Sequence, residues 1–105
     1  MREIELSCDL GEATDDEAVR TEEAIWPLIG AANVACGGHV GDRASMSRAV
    51  SMARQFGVVL GAHPSYPDPA NFGRVSMKIP EGALVESLVR QICALAAIAS
   101  EAGVP

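Results

Sequence analysis

Two histidines are the entire imidazole complement of this 105-residue chain, and each stands in a polar block that follows a short uncharged run. His39 lies in Asn33-Val34-Ala35-Cys36-Gly37-Gly38-His39-Val40-Gly41-Asp42, and His63 in Gly61-Ala62-His63-Pro64-Ser65-Tyr66-Pro67-Asp68. A third block, Asp9-Leu10-Gly11-Glu12, lies near the N-terminus. Imidazole and carboxylate groups can both be tuned to move protons near neutral pH, so Asp9, His39 and His63 suit a general acid/base site. The same three residues also match the ligand set of a divalent metal hydrolase, although no HxxxH or HExxH spacing reinforces that reading. Each has a bland alternative: a turn-forming Asp9, a solvated loop His39, a hydrogen-bonded core His63. The glycines around His39 permit close backbone approach. They do not make a phosphate loop, because no Lys followed by Ser or Thr is present and Asp42 stands where a phosphate would sit. Asp42 reads first as a helix N-cap.

Elements must bring these blocks together. Between Glu3 and Asp9, Ile4, Leu6 and Cys8 alternate with Glu3, Glu5 and Ser7, which predicts a strand over 3–9. Residues 10–21 are acidic and read as a loop, with a short helix over 22–29 despite Pro27. A strand is expected over 31–36. After Asp42, the recurrence of Met46, Ala49, Val50, Ala53 and Phe56 predicts an amphipathic helix closed by Gly57. Val58 to Ala62 is uncharged, as a strand covered on both faces should be. Residues 64–79 hold three prolines and form a loop long enough to be a functional lid or binding loop. Pro80 then opens a long helix with Leu84, Leu88, Ile92, Leu95, Ala99 and Ala102 on one apolar stripe, Glu86 and Arg90 paired on the solvent side, and Gly103 at its end. Alternating strands and helices imply an α/β fold with parallel strands and helical crossovers. Chemistry in such folds collects at the carboxyl ends of the strands, where all three polar blocks are expected. Three strands and three helices leave the apolar last helix without enough to pack against, so residues 1–105 read as a single partial domain, the N-terminal part of a larger α/β domain.

Composition narrows the function classes. With 49% hydrophobic residues the chain is not a disordered tail, and its longest apolar run, Ile92 to Ala99, falls short of the ~18 residues of a membrane span. The formal charge is -6, and nine of the fourteen acids lie within residues 1–23, so nucleic acid is not an expected partner. Cys8, Cys36 and Cys93 form no paired CxxC motif, and the charged N-terminus lacks a signal-peptide core; a reduced, cytoplasmic protein is expected. Cys8 and Cys93 read as small buried hydrophobes.

With these residues placed, the chain resembles the LamB/YcsF lactam-utilisation family, which supplies the A component of bacterial ATP-dependent 5-oxoprolinase. The likeness is carried by Ser7-Cys8-Asp9-Leu10-Gly11-Glu12, by the Asn33 to Asp42 block, and by the Gly61 to Asp68 block with Phe72-Gly73-Arg74. The family usually has Asn at Ser7, Phe at Gly38, Ala at Val40 and Pro at Arg43. The resemblance implies a distorted (β/α) barrel of the glycoside hydrolase/deacetylase type, of which this chain is the N-terminal portion. It implies hydrolysis of 5-oxo-L-proline to L-glutamate with ATP cleavage, in concert with subunits B and C. In that reading Asp9, His39 and His63 are catalytic, and Glu12, Asn33, Asp42, Tyr66, Asp68 and Arg74 are candidate substrate-binding residues. ATP is expected to be bound by or shared with the partner subunits. Two rival readings use the same pocket: a metal-dependent deacetylase or amidohydrolase with Asp9, His39 and His63 as ligands, and a non-catalytic 5-oxoproline-binding subunit.

Overall fold

A computed structural model describes residues 5–104. Six main elements follow one another: β1 (Ser7–Leu10), α1 (Asp16–Ile25), β2 (Ala31–Ala35), α2 (Arg43–Phe56), β3 (Val59–His63) and α3 (Glu81–Glu101). The strands form one parallel sheet in the order β1-β2-β3, as the alternation of elements requires. Residues 3 and 4 of the expected first strand lie outside the described residues, and the ladder proper begins at Ser7.

Register sorts the strands into two faces, because alternate side chains point to opposite sides. Cys8, Leu10, Ala32, Val34, Leu60 and Ala62 share one face; Asp9, Asn33, Gly61 and His63 share the other. The first face builds the core, in which Leu10, Val34 and Val50 are the largest fully buried side chains. Met46, Ala49, Val50 and Ala53 of α2 and Leu95, Ile98 and Ala99 of α3 cover it. β3 is not enclosed on both faces as its composition suggested: Val59 is 65% exposed, since it lies on the sheet face of Gly61 and His63, opposite the core.

The helix boundaries show which local signals decide. α2 starts as expected, with Asp42 accepting from the Ser45 amide while the Ser45 hydroxyl accepts from the Asp42 amide. Gly57 ends it in the left-handed conformation. α1 begins six residues earlier than the expected helix at 22. Asp15 caps it by accepting from the Ala18 amide, and Asp16 and Glu17 in the first turn meet the positive end of the helix dipole. The acids that looked like loop are thus a helix start. A short 3-10 turn, Trp26–Leu28, takes up Pro27 and buries Trp26. Pro80 stands as the N-cap of α3 and not inside its first turn.

α3 packs largely by the stripe its apolar residues mark, with Leu95 and Ala99 buried, Leu84, Leu88 and Ala102 half-buried and Ile92 alone of that set exposed, but the stripe is shifted to take in two polar residues. Ser87, Gln91, Leu95, Ile98 and Ala99 are buried, whereas Ile92, Val85 and Val89 are exposed. Glu86 and Arg90 form no ion pair among the described residues. By length and composition α3 is long and apolar enough to cross a membrane, yet its buried stripe is committed to α2 and β3. Cys93, on its outer side, is exposed and not a core residue.

Candidate functional site

The polar sheet face and the loops after β1, β2 and β3 converge at one edge, where a cavity of about 250 Å³ is lined by Asp9, Glu12, His39, His63, Ser65, Phe72, Gly73 and Arg74. Asp9 and His63 come directly from the strands. Asn33 reaches across the ladder, its Nδ2 lying 3.5 Å from Asp9 Oδ1. Gly61 makes room for it, because a Cβ there would lie 2.6 Å from Asn33 Oδ1.

Glu12 is held through its backbone. The Glu22 carboxylate on α1 accepts from the amides of Gly11 and Glu12 at 3.1 and 3.0 Å, tying the loop after β1 to the helix that follows. This fixed loop sends Glu12 Oε2 to within 2.6 Å of His39 Nε2. His39 is only 3% exposed. Its other ring nitrogen, Nδ1, lies 2.9 Å from Ser65 Oγ, and Ser65 Oγ donates to the Tyr66 carbonyl. Ser65 is in turn gripped by Gln91 of α3, whose side-chain oxygen accepts from the Ser65 amide and whose nitrogen donates to the Ser65 carbonyl and to Ser87 Oγ. The two buried polar residues of α3 therefore serve the site: they hold the segment that carries Ser65 against His39.

His63 Nδ1 lies 3.8 Å from both Asp9 Oδ2 and Glu12 Oε2, too far for a hydrogen bond. It is shielded from solvent and has no hydrogen-bond partner among the described residues. The His39 and His63 rings are 4.9 Å apart. Phe72 completes the wall, with its ring edge-on to His39 at 4.7 Å. Phe72 adopts φ 56, the left-handed region in which a non-glycine residue is strained. Gly73 follows with φ 70, and a Cβ there would press on His39 and Ser65 at 3.2 Å. The Arg74 guanidinium stacks over the Phe72 ring at 5.3 Å and brings a positive charge to the cavity rim.

Of the residues named from sequence, Asp9, Glu12, His39, His63 and Arg74 line this cavity, with Asn33 bonded to Asp9. Asp42, Tyr66 and Asp68 are not brought to it. Asp42 caps α2, Tyr66 is exposed, and the Asp68 carboxylate accepts from Asn71. The carboxylate that converges with the two imidazoles is Glu12, where the sequence pattern points to Asp9. Ser65, Glu22 and Gln91 join the site without having been singled out by sequence. Only Ser65 has a local signal, its place in the block after His63.

Two thiols report on the surroundings. Burial, followed by the nearby carboxylates of Asp9, Glu22 and Glu12, pushes the Cys8 thiol above its ordinary value. Burial pushes the Cys36 thiol up as well, against a smaller opposing backbone hydrogen bond from His63.

A parallel α/β sheet with carboxylates and imidazoles gathered at its carboxyl edge defines the class, and comparison with known proteins defines the family. The LamB/YcsF family model matches residues 4–105, and the chain belongs to that family. It is 43% identical over 104 residues to proteins named as the A subunit of 5-oxoprolinase from Chloroflexus aggregans and Carboxydothermus hydrogenoformans. Those alignments cover 99% of this chain and 41% of each relative. The fold superimposes on the crystal structure of a lactam utilization protein from Thermus thermophilus with a TM-score of 0.85 and 35% identity, over 99% of this chain and 42% of that one. At Gly38 this chain has no room for a side chain. A Cβ there would lie 2.5 Å from Gln91 Oε1 and 2.7 Å from the Ser65 carbonyl. Gln91 fills that space and braces Ser65.

Proposed function

We propose that this chain contributes the ring-opening site of an ATP-dependent 5-oxoprolinase, which converts 5-oxo-L-proline to L-glutamate together with partner subunits B and C. The observation that carries the reading is the convergence of Asp9, Glu12, His39 and His63 in one small cavity with Arg74 at its rim, in a chain similar to proteins named as the A subunit of 5-oxoprolinase. In this reading the chain forms the N-terminal part of a (β/α) barrel, whose interior is the polar sheet face.

A five-membered lactam is an unactivated amide. Transfer of the ATP terminal phosphoryl group to the amide oxygen, which we assign to the partner subunits, releases ADP and leaves a more electrophilic ring carbon. Water then adds to that carbon and loses a proton to the site. The carbon–nitrogen bond breaks as a proton reaches the leaving nitrogen, and a second water cleaves the resulting acyl phosphate to glutamate and phosphate. Asp9 and His63 flank one region of the cavity and suit the proton transfers. His39, with both ring nitrogens engaged by Ser65 and Glu12, holds the Glu12 carboxylate at the cavity wall, and Asn33 sets Asp9 in place. Arg74 offers a charged donor to the substrate carboxylate.

The test is ATP hydrolysis and glutamate release by the full-length protein with its partner subunits, with and without 5-oxoproline. The reading expects both activities to require 5-oxoproline and all subunits. Turnover that is indifferent to 5-oxoproline would overturn it.

A further inference from the structure

We propose that Glu12, His39 and His63 form a three-ligand site for a divalent cation of the zinc class, with Glu12 Oε2, His39 Nε2 and His63 Nδ1 as donors. The inference is independent of the lactam reading, because it rests on the donor atoms alone. One donor atom from each residue lies within 4.8 Å of the other two. Two imidazoles and one carboxylate are the donor set of borderline cations, and three protein ligands leave a coordination position open.

Two further features point to a cation. His63 Nδ1 is shielded from solvent and lacks any hydrogen-bond partner among the described residues, although it faces the Glu12 and Asp9 carboxylates at 3.8 Å. A buried ring nitrogen without a partner is costly unless something bonds it. His39 supplies the second feature. With the proton on Nδ1, the ring donates to Ser65 Oγ, which donates onward to the Tyr66 carbonyl, and Nε2 is left with a lone pair directed at Glu12. That is how metal-bound histidines are held, the outer nitrogen fixed by a neighbouring acceptor. A single proton shared between His39 and Glu12 satisfies that pair but leaves His63 Nδ1 unanswered. A single cation answers all three donors.

Binding a cation requires side-chain movements at Glu12 and His63, with the backbone unchanged. A tetrahedral ion with bonds of about 2.0–2.1 Å sets its ligand atoms roughly 3.3 Å apart. Glu12 Oε2 stands closer than that to His39 Nε2, at 2.6 Å, and farther from His63 Nδ1, at 3.8 Å. A swing of the Glu12 carboxylate from His39 towards His63 corrects both, and a rotation of the His63 ring must also bring Nδ1 closer to His39 Nε2, because the three donor atoms span up to 4.8 Å. The backbone amide of Glu12, held by Glu22, stays where it is. Asp9 Oδ2 lies beside the same nitrogen and borders the open position.

The experiment uses chelator-stripped protein titrated with Zn²⁺ by calorimetry and with Co²⁺ by visible absorption, so that no turnover is needed. One equivalent should bind, with the intense visible bands of a four-coordinate Co²⁺ site. Glu12→Gln and His63→Gln should each weaken binding by ~100-fold or more, and Ser65→Ala, which frees the outer nitrogen of His39, by roughly 10-fold. Cys93→Ser, at an exposed thiol far from the cavity, should change nothing. Far-UV circular dichroism and thermal melting establish that each variant is folded, and should Glu12→Gln fail to fold, His63→Gln decides by the same criterion. No saturable binding, or binding that survives both ligand substitutions, would overturn the proposal, as would loss of binding in Cys93→Ser.

Discussion

The two faces of the three-stranded sheet are built from alternate residues of the same strands and have opposite chemistry. One carries Leu10, Val34 and Ala62 beneath two helices; the other carries Asp9, Asn33, Gly61 and His63 and is left to the loops at its carboxyl edge. A one-residue slip in register would exchange them, so burying Leu10 and Val34 is also what points Asp9 and Asn33 at the cavity. Stability and chemistry are thus separable here by residue parity, and substitutions on the two faces should have different consequences.

The largest stability effect is expected on the apolar face. Leu10→Ala should cost about 2–5 kcal/mol, read as a lower denaturation midpoint at unchanged slope, because a fully buried side chain leaves a cavity. A loss below about 0.5 kcal/mol would mean that this face is not the core.

Next comes the contact between the site and α3. Gly38→Ala should cost about 1–3 kcal/mol, since its Cβ collides with Gln91 and with Ser65 backbone. Combining it with Gln91→Ala should recover part of that loss, and a strictly additive double variant would break the link between the two positions.

A smaller effect separates a cap from a ligand. Asp42→Ala should cost about 1 kcal/mol, with Asp42→Ser largely restoring it, because the side chain bonds the Ser45 amide outside the cavity. Equilibrium unfolding of both variants checks this; an Asp42→Ser protein as unstable as Asp42→Ala would remove the capping explanation.

The smallest effects concern thiols. Cys93 should react first with a thiol reagent in the native protein, and Cys36 only on unfolding, because one is exposed and the other buried. Burial raises the Cys36 pKa in the folded state above its ordinary 9.0, so this contribution to stability is complete below pH 9 and is lost as pH rises through the folded value. Cys36→Ala should flatten the alkaline limb of the stability profile. Prompt native-state labelling of Cys36 would contradict its burial.

The strands, α2 and the gathering of Asp9, His39 and His63 at one edge are legible in the sequence because period-two patterns, an Asp cap and a Gly stop are local signals. The start of α1 is not, because Asp15, Asp16 and Glu17 are equally suited to a loop and to a helix start, and only the Ala18 amide contact distinguishes them. The packed face of α3 is legible in Leu95 and Ala99, but its polar part is not. Ser87 and Gln91 are buried beside that stripe because of Ser65, far away in sequence. The same long-range dependence hides Glu22, and it places Glu12 nearer to both imidazoles than local pattern could indicate.

The measurement that bears most directly on the polar face is glutamate release by the full-length Asp9→Asn protein with its partner subunits, followed alongside ATP consumption and thermal stability. Asp9 is 53% exposed, its hydrogen bond from Asn33 is long and His63 Nδ1 stands 3.8 Å away, so the substitution should leave the melting temperature nearly unchanged. Glutamate formation should fall by ~100-fold or more, the scale on which a positioned proton-transfer group acts. ATP consumption should fall less, because activation of the lactam is assigned to other subunits. Undiminished glutamate release by a folded Asp9→Asn protein would contradict the account and leave this face as a binding surface without a catalytic part.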